Sequence, residues 1–435
     1  MKVPFNLKGY QAITDDTTLL DPETLFLKTA QNRHYYEALA STPPAITPQE
    51  LIALWGLESL RVVGVTGTNG KTTVTAAIYS FLLDLGEKPA LQGTRGLFAH
   101  EQRLESKHMT TPSILETLYN MKQTHALGCN YFIMEVSSHA IDQERIEGIT
   151  FALKVHTNVT SDHLDYHKTL EEYRRVKSRF FADETPKLLN KDDLKHITYN
   201  PIGAQSYGVD EPATFKVQAF SLLNGITAGI KYMHKEEALF ASPMVGLFNL
   251  FNLMAAVGSV VMLTGRSVQE VCDVVGYFAG VSGRMEVVSR NPLVIVDFAH
   301  TADGMVQVLD SIKERDISVV FGAGGNRDRA KRPRMGAVAG KFAKKIYVTS
   351  DNPRDEVPEM ILEEILVGLR GKDHVTATPD RRLAIKMALE ALEPNDALLI
   401  LGKGDEEYQE IKGVKHPFDD REVVRELLAQ SHADA

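Results

Sequence analysis

Seven short apolar runs, each followed by a polar cluster, constrain the fold of this 435-residue chain more than any other feature. Runs of this length suit buried parallel strands, and segments with helical periodicity separate most of them. This alternation predicts an α/β protein with helices on both faces of mostly parallel sheets. The predicted strands are Val62–Val65, Tyr131–Val136, Leu153–Val159, Leu293–Val296, Val319–Phe321, Ile346–Val348 and Ala397–Leu401.

The polar clusters stand directly after the predicted strands. Open α/β sheets bind ligands at the carboxyl ends of their strands, so each cluster marks a possible binding edge. Their number predicts an active site that draws on two sheets. The clusters read TGTNGKTT, SSHA, TNVTSDHLDYH, DFAHTADG, GAGGNRD, TSDNPRD and GKGDEEYQ.

The length predicts more than one domain, because a single core rarely serves 435 residues. We expect a small N-terminal α/β domain over 1–58, a central domain with a mostly parallel sheet over 59–285, and a Rossmann-like C-terminal domain over 286–435. The proline-rich stretch STPPAITPQELIALWG is interpreted as the linker after the first domain.

Composition argues against several classes of protein. The net charge of −9 disfavours nucleic acid as the main partner. The N-terminal segment lacks the apolar core of a signal peptide, and the longest apolar stretch, 247–263, is shorter than a membrane span. The two cysteines, Cys129 and Cys272, are expected to be buried free thiols. We therefore expect a soluble, cytoplasmic protein that does not bind membranes.

The cluster after the first predicted strand is typical of a phosphate-binding loop. Its glycines permit a tight turn, so that backbone N–H groups point at phosphate oxygens. Lys71 can reach the β- and γ-phosphates, and Thr72 can hold Mg²⁺. Val65 stands where the common loop has glycine, and a plain turn from strand to helix is the alternative. The loop comprises Gly67, Thr68, Asn69, Gly70, Lys71, Thr72 and Thr73.

Two charged side chains are predicted at positions where burial is costly. Glu135 stands near the end of a very apolar strand, where Mg²⁺ beside ATP, with His163 as a companion ligand, would compensate its charge. Backbone N–H groups are the alternative partners. Thr169 and Glu172 are predicted to form a capping box that begins a helix, and Lys177 falls on the apolar stripe of that helix. The ammonium group either reaches water or is buried beside a nucleotide.

Two further helices carry polar residues that could bind ligands. Thr111 is predicted to cap a helix that begins at Pro112, so that Thr110 and Thr111 could hold an acidic ligand at free N–H groups. A plain helix start is the alternative. Asn249 and Asn252 share one face of an apolar helix and need partners, which a purine, a ribose or another helix could supply.

The C-terminal third of the sequence concentrates charged motifs. Asp297 and His300 follow one predicted strand, and GNRDRAKRPR supplies cations that either face solvent or bind phosphates and carboxylates. In TSDNPRD, Pro353 stiffens the turn. Arg354 is therefore well placed for bidentate recognition of a carboxylate.

Together these motifs resemble those of the Mur ligases, and within that family the MurE type. GTNGKTT, TTP, EVSSHA, TNVTSDHLDYH, GRME, DFAHTADG, GNRDRAKRP, DNPR, GKGDEEYQ and FDDRE occur in the family's order over 62–421. The family's phosphate loop has the same shorter glycine spacing. The resemblance implies an ATP-dependent amide ligase that adds meso-2,6-diaminopimelate to UDP-N-acetylmuramoyl-L-alanyl-D-glutamate in peptidoglycan precursor synthesis. ATP would phosphorylate the D-glutamate carboxylate, and an amine would attack the acyl phosphate.

The resemblance also implies roles for individual residues, and three domains that bind UDP, ATP and the amino acid and close over them in a monomer. The expected catalytic residues are Lys71, Glu135, His163 and Lys177. The expected Mg²⁺ ligands are Thr72, Glu135, His163 and, if it is N-carboxylated as in the family, Lys177. Expected ATP contacts beyond the loop are Asn249, Asn252, Arg284, Asp297 and His300. Expected contacts to the muramoyl-peptide are Thr110, Thr111, Ser137, Gln143, Arg145 and Lys177. The expected diaminopimelate pocket comprises Arg327, Asp351, Asn352, Arg354, Gly402 and Glu406.

The sequence departs from the family pattern in three places. Asp405 stands where diaminopimelate-adding enzymes usually have histidine, whereas Arg354 still matches the extra carboxylate that lysine lacks. The N-terminal block is shorter than usual, and its uridine-binding pattern matches loosely, with Asp16, Thr17 and Phe26 as candidates. The alternatives are a lysine-adding relative, a ligase similar to folylpolyglutamate synthetase, and a nucleotide-switched binding protein without ligase activity.

Overall fold

The structure, a computed structural model, describes residues 1–7, 9–100, 102–106, 109–160, 164–223 and 225–433. Strands and helices alternate along most of this length, and most strand pairs in the two large sheets are parallel. The chain is therefore an α/β protein, as predicted.

The N-terminal residues form a small sheet in which the strands follow chain order. Its strands are β1 (Lys2–Leu7), β2 (Tyr10–Thr14), β3 (Thr24–Leu27) and β4 (Ala45–Ile46), and its helices are α1 (Arg33–Glu37) and α2 (Pro48–Leu54). The interpretation of residues 41–56 as a linker is wrong, because they contain β4 and α2. Thr47 and Glu50 form a reciprocal capping box that begins α2.

A sheet of eleven described strands contains the predicted phosphate loop. Its strands are β5 (Arg61–Thr66), β6 (Pro89–Gly93), β7 (Gly96–Ala99), β8 (Gln102–Glu105), β9 (Tyr131–Glu135), β10 (Phe151–His156), β11 (Lys187–Asn190), β12 (Ala204–Gly208), β13 (Phe215–Ser221), β14 (Ile226–Tyr232) and β15 (Glu236–Ser242). β5 lies between β9 and β10 and is parallel to both. The accompanying helices are α3 (Lys71–Asp84), α4 (Ile114–Ala126), α5 (Ser138–Asp142), α6 (Leu164–His167), α7 (Leu170–Arg179), α8 (Leu247–Thr264) and α9 (Val268–Val274).

The C-terminal part contains a sheet of six described strands and a separate hairpin. The sheet comprises β16 (Glu286–Arg290), β17 (Leu293–Asp297), β18 (Ile317–Phe321), β19 (Lys345–Val348), β20 (Val375–Ala377) and β21 (Ala397–Leu401), and the hairpin comprises β22 (Tyr408–Ile411) and β23 (Val414–Pro417). The order in the sheet is β16-β17-β21-β18-β19-β20, and only the β16–β17 pair among these described strands is antiparallel. The helices are α10 (Ala302–Asp310), α11 (Lys331–Phe342), α12 (Pro358–Val367), α13 (Arg381–Glu390) and α14 (Asp420–Ala433).

All seven predicted strands are present, and two of them end earlier than predicted: β9 ends one residue early, at Glu135, and β10 ends three residues early, at His156. Beyond His156 the Thr157 N–H still donates to the carbonyl oxygen of Thr66 in β5 (3.0 Å), and the chain then turns to the phosphate loop and to Asp193. Thr157 Oγ1 donates to the carbonyl oxygen of Asn69 (2.6 Å), and the Val159 N–H donates to Asp193 Oδ2 (2.8 Å).

The start of α7 differs in one detail from the prediction. Thr169 Oγ1 accepts a hydrogen bond from the Glu172 N–H (3.1 Å), as expected of a cap. The Glu172 carboxylate pairs with Arg175 (2.7 Å) and does not return to the cap, so half of the predicted capping box is absent.

The chain divides into two compact units. Unit 1 comprises 1–220, 228–241 and 251–278, and unit 2 comprises 221–227, 242–250 and 279–435. In unit 1 the N-terminal sheet shares its core with the large sheet, since Val3 and Phe5 belong to the same buried cluster as Phe132. The three domain ranges stay a prediction.

The apolar stretch predicted to be shorter than a membrane span forms α8, which is long and apolar enough to cross a membrane, with a mean hydropathy of 1.8 over 18 residues. The rest of the protein buries 72% of these 18 residues, and the core helix of a soluble protein can have the same length and hydropathy. Cys129 and Cys272 are buried free thiols, as predicted. Burial raises the pKa of Cys129 to about 11 and that of Cys272 to about 12, which makes both thiols poor nucleophiles.

Helices α11 and α12 pack closely at Gly336, where a Cβ atom would overlap the carbonyl oxygen of Ile365. We expect Gly336→Ala to lower the free energy of unfolding by about 1–3 kcal/mol, because a backbone atom cannot move aside cheaply. Gly340→Ala on the same helix is the control, since its Cβ would meet the mobile side-chain ends of Leu369 and Lys372. Urea unfolding of both variants tests this, and equal losses would contradict the prediction.

Candidate active site

The loop after β5 has the geometry of a phosphate-binding loop. The chain turns at Gly70 with φ +84° and enters α3 at Lys71. A side chain at Gly67 would collide with Thr157, so the loop needs glycine there. Lys71 Nζ donates to the carbonyl oxygens of Gly67 (2.8 Å) and Thr68 (2.9 Å), which folds the lysine over its own loop. The N-terminus of α3 then offers backbone N–H groups and a cation to an anion.

Neighbouring elements hold the loop in place. Thr68 Oγ1 lies 3.0 Å from the Tyr173 hydroxyl oxygen on α7, and the Asn69 N–H donates to Asn158 Oδ1 (3.0 Å). Thr73 is buried within α3. Asn252 on α8 also reaches the loop, since its Oδ1 occupies the position that a side chain at Gly70 would take.

Glu135 ends β9 and is only 2% exposed. Thr72 Oγ1 donates to its Oε2 (3.0 Å), while Thr94 donates from its N–H to Oε1 (2.9 Å) and from its Oγ1 to Oε2 (3.3 Å). A backbone N–H therefore supplies one of the three bonds, and hydroxyl groups supply the others. Thr94 was not predicted, because a single threonine in the stretch QGTRG gives no local signal.

The site offers a limited set of metal ligands. His163, the predicted companion of Glu135, lies outside the described residues. Within the described part of the chain, no group of three or more His, Cys, Asp or Glu side chains could hold a metal ion. The oxygens of Thr72 and Glu135 nevertheless fit Mg²⁺, which commonly uses one or two protein ligands together with phosphate oxygens and water.

Lys177 is buried on α7, with 1% of its surface exposed, so the alternative in which its ammonium group reaches water is wrong. Its Nζ donates to Thr66 Oγ1 (3.4 Å), at the end of β5, and lies 4.9 Å from the ring centroid of Tyr173. The lysine is thus positioned directly behind the phosphate loop.

The predicted cap at Thr111 is wrong, because α4 begins at Ile114 and its cap is Ser113. Thr111 Oγ1 donates instead to the carbonyl oxygen of Glu135 (2.9 Å) and accepts a hydrogen bond from the Ser137 N–H (3.0 Å). The hydroxyl of Thr111 therefore joins the loop before α4 to the carboxyl end of β9.

The predicted peptide contacts lie together in unit 1. Arg145 donates from Nε (3.0 Å) and Nη2 (2.6 Å) to Gln143 Oε1, and from Nη1 to the carbonyl oxygen of Thr111 (2.9 Å). Thr110 Oγ1 lies 3.1 Å from Thr94 Oγ1, which contacts the Glu135 carboxylate. A cation and several hydroxyl groups therefore surround the end of β9, where they could bind an anionic ligand.

A cavity of about 370 Å³ opens beside the N-terminal sheet. Asp16 and Thr17, two of the uridine candidates, line it together with Asn32 and Tyr35. Phe26 does not line the cavity. It is fully buried and stacks on Tyr36 with ring centroids 5.1 Å apart, so it is a core residue.

In unit 2, the loops after β19 and β21 meet in a charged cluster. Asn352 Nδ2 donates to Glu406 Oε2 (2.8 Å), and Lys403 Nζ lies 3.2 Å from the same oxygen and 3.3 Å from Asn352 Oδ1. A Cβ at Gly402 would lie 2.5 Å from Asp351 Oδ2, so these two predicted residues are in contact. Lys403 was not predicted, although it stands within the motif GKGDEEYQ. Its side chain is fully buried.

Arg354 lies at the edge of this cluster in a left-handed conformation, with φ +52°. Its Nε donates to Glu410 Oε2 (3.2 Å), and its Nη1 donates to the carbonyl oxygen of Gly325 (2.7 Å). Glu410 was also missed, because it is distant in sequence from DNPR and stands in an ordinary hairpin strand. Arg327 is exposed, and its side chain passes Gly324, next to the Arg354 guanidinium.

Asp297 ends β17 and accepts hydrogen bonds from the N–H groups of Met285 (2.7 Å) and Ala299 (2.7 Å). Burial raises the pKa of Asp297, and the nearby Arg284 opposes that effect. The Arg284 guanidinium lies over the ring of Phe298, 4.5 Å from its centroid. Arg284 and Asp297, both predicted to contact ATP, are therefore near each other.

Two other predicted ATP contacts also belong to unit 2. His300 Nδ1 lies 3.0 Å from the carbonyl oxygen of Phe298, and Asn249 Nδ2 donates to the carbonyl oxygen of Val245 (2.8 Å). Asn252, three residues further along α8, belongs to unit 1. The predicted ATP contacts are thus divided between the two units.

Family models match most of the chain. The Mur ligase middle domain matches residues 65–260, and the domain described as "Mur ligase, glutamate ligase domain" matches residues 283–404. The first range contains the phosphate loop, Glu135 and Lys177, and the second contains Arg354 and Gly402.

Several known proteins are similar over nearly the whole chain. A UDP-N-acetylmuramoyl-L-alanyl-D-glutamate–2,6-diaminopimelate ligase of Wolinella succinogenes is 50% identical over 99% of both chains, and one of Helicobacter hepaticus is 47% identical over 98% of both. A solved structure of a ligase with that name has a TM-score of 0.70 at 31% identity, over 97% of this chain and 95% of that one. The folylpolyglutamate synthase of Mycobacterium tuberculosis has a TM-score of 0.64 at 15% identity, over 82% of this chain and 91% of its own, and shares the fold. The chain belongs to the Mur ligase family.

Proposed function

We propose that this protein is an ATP-dependent amide ligase that adds meso-2,6-diaminopimelate to UDP-N-acetylmuramoyl-L-alanyl-D-glutamate during peptidoglycan precursor synthesis in the cytoplasm. The observation that carries the choice of amino acid is the cluster of Arg354, Asn352 and Glu406 in unit 2. The Arg354 guanidinium could bind a carboxylate, and the Glu406 carboxylate could bind an ammonium group. Together they suit the second amino-acid centre of diaminopimelate, which carries both groups. Lysine lacks that second carboxylate.

The first half-reaction activates a carboxylate at the phosphate loop. Residues 67–73 would hold the phosphates of ATP, with Asn249, Asn252, Arg284, Asp297 and His300 as further contacts. An oxygen of the D-glutamate carboxylate attacks the γ-phosphorus, and ADP leaves with the electron pair of the broken P–O bond. Thr72, Glu135 and His163 would hold Mg²⁺, which would neutralise phosphate charge.

The muramoyl-peptide substrate would be held at two places on unit 1. Thr110, Thr111, Ser137, Gln143 and Arg145 would bind the muramoyl-peptide near Glu135, and the cavity beside the N-terminal sheet would receive the uridine part. We assign the UDP, ATP and amino-acid parts to the three ranges 1–58, 59–285 and 286–435, in a monomeric enzyme.

The second half-reaction joins the amine to the activated carboxyl. The neutral amine of diaminopimelate attacks the acyl carbon, and the tetrahedral intermediate collapses to the amide as the acyl C–O bond breaks, with the electron pair and the amine proton leaving on inorganic phosphate. Positioning lowers this barrier, because two bound reactants meet without a further loss of translational entropy. Arg327, Asp351, Asn352, Arg354, Gly402 and Glu406 would orient the amino acid.

Lys177 is proposed to be N-carboxylated. A buried ammonium group is costly, and Lys177 is 1% exposed behind the phosphate loop. Attack of its neutral amine on CO₂, with loss of a proton, gives a carbamate anion. The carbamate could hold a second Mg²⁺.

The reaction itself is tested by coupled measurement of ADP release. We expect release to require both the muramoyl-dipeptide precursor and diaminopimelate, with much slower turnover when lysine replaces diaminopimelate. Turnover with lysine alone would overturn the choice of amino acid. ATP binding without acceptor-dependent ADP release would indicate a nucleotide-switched binding protein instead.

Arg354→Ala tests recognition of the second carboxylate. We expect the KM for diaminopimelate to rise by about 10- to 100-fold, since hydrogen bonds to charged groups contribute roughly 1.5–3 kcal/mol. The KM for ATP should stay near the wild-type value. The control is Arg370→Ala, at an exposed arginine of the same unit. Equal effects on the two KM values would argue against this role.

Lys177→Ala tests the carbamate. We expect the variant to lose activity and to regain part of it when short carboxylates such as acetate or formate are added, because these anions can occupy the position of the carbamate. Arg175→Ala, which changes an exposed residue on the same helix, should remain active. Near-normal activity of Lys177→Ala without added carboxylate would refute the assignment.

A further inference from the structure

A buried ion pair in unit 2 is not used by the proposed reaction. The side chains of Arg381, at the start of α13, and Asp420, at the start of α14, are both 0% exposed. Arg381 donates from Nε to Asp420 Oδ1 (2.7 Å) and from Nη2 to Oδ2 (2.7 Å). This bidentate geometry fixes the plane and direction of the guanidinium.

The remaining donors of Arg381 reach two strand ends of the six-stranded sheet. Its Nη1 donates to the carbonyl oxygen of Ser350 (3.2 Å), and its Nη2 donates to the carbonyl oxygen of Leu401 (3.0 Å). Ser350 follows β19 and Leu401 ends β21, and β18 lies between these strands in the sheet. One guanidinium therefore ties together two strand ends that do not pair directly.

The two carbonyl groups that Arg381 binds directly precede the charged cluster of Asn352, Lys403 and Glu406. Ser350 is followed by Asp351, Asn352, Pro353 and Arg354, and Leu401 is followed by Gly402 and Lys403. The Asn352–Glu406 hydrogen bond joins the two loops, and Asn352 is only two residues beyond Ser350. A shift of either strand end would separate the groups that the proposed function assigns to one amino acid.

Stability alone does not account for this pair. A buried ion pair often stabilises a fold no more than apolar side chains of similar volume, because both charges must be removed from water. The directions of its hydrogen bonds, in contrast, have no apolar substitute.

We infer that Arg381 is a positioning residue for acceptor recognition, and that Asp420 orients its guanidinium. Arg381 holds the ends of β19 and β21 in the register that lets Asn352, Arg354 and Glu406 bind the same amino acid. This inference rests on the proposed function for the identity of that amino acid.

The adjacent residue provides a matched control. Arg382 Nη1 pairs with Glu426 Oε2 (2.8 Å), so this second arginine also joins α13 to α14 through one carboxylate. Its side chain is 44% exposed and that of Glu426 is 54% exposed. The two pairs share the same helices, and only the buried pair reaches the strand ends.

The test compares Arg381→Met/Asp420→Leu with Arg382→Met/Glu426→Leu. Replacing both buried partners by apolar side chains avoids an unpaired buried charge. We expect the first double variant to keep a cooperative thermal transition while its KM for the amino acid rises by about 10- to 100-fold, as small misplacements can cause. Its KM for ATP should change little, and the control variant should resemble the wild type in both KM values.

Arg381→Lys provides a second variant in case the double variant does not fold. It keeps the buried charge and loses the planar fork, so a folded protein with a selectively raised KM for the amino acid is expected. A wild-type KM for the amino acid in either folded variant, or equal increases in both KM values, would overturn the inference.

These KM measurements use the amino acid, diaminopimelate or lysine, that the wild-type protein turns over fastest. A wild type that prefers lysine would overturn the proposed substrate and leave the comparison of variants intact.

Discussion

The parallel pairing of β5 with β9 and β10 is the constraint on which the activation site depends. Parallel neighbours end at the same edge of a sheet, so Thr66, Glu135 and Thr157 arrive there from three distant parts of the sequence. Thr157 leaves no room for a side chain at Gly67, and the turn at Gly70 presents Lys71 at the same edge. The carboxylate, the lysine and the helix N-terminus therefore result from one arrangement of strands.

Buried charges recur at the sheet edges of both units. Glu135 and Lys177 lie at the edge of the large sheet, and Lys403 and Arg381 lie at the edge of the six-stranded sheet. Each charged group costs free energy to bury, and its hydrogen bonds repay that cost only in one geometry. Because these buried groups are stable only when their hydrogen bonds are formed, they hold the surrounding side chains and loops in one orientation.

The sequence predicted the parts of the site that follow from local patterns. Short apolar runs defined the seven strands, and the glycines and lysine of TGTNGKTT defined the phosphate loop. Periodicity placed Lys177 on an apolar stripe, but it could not decide between burial and solvent exposure, because a lysine stem packs equally well in both cases. The structure decides that question through the contacts of Lys177 with Thr66 and Tyr173.

Two of the missed residues, Thr94 and Glu410, share a physical cause, which is that their partners are distant in sequence. Thr94 contacts Glu135 across 41 positions, and Glu410 contacts Arg354 across 56. The cap of α4 was misplaced because Thr111 and Ser113 are both good caps by composition. The bonds of Thr111 to the end of β9 settled the choice, and no local pattern encodes them.

The loop that carries Arg354 is anchored by groups that stay charged at neutral pH. Arg332 on α11 is fully buried and pairs with Glu356 (2.8 Å) and Glu364 (2.8 Å), while Glu356 also accepts a hydrogen bond from the Asn326 N–H (2.6 Å). The bond with Arg332 lowers the pKa of Glu356 to about 2. A depressed carboxyl pKa contributes stability that is complete above the unfolded pKa and is lost only as the pH falls toward the folded value. The loop that carries Arg354 is therefore held by fixed charges at neutral pH.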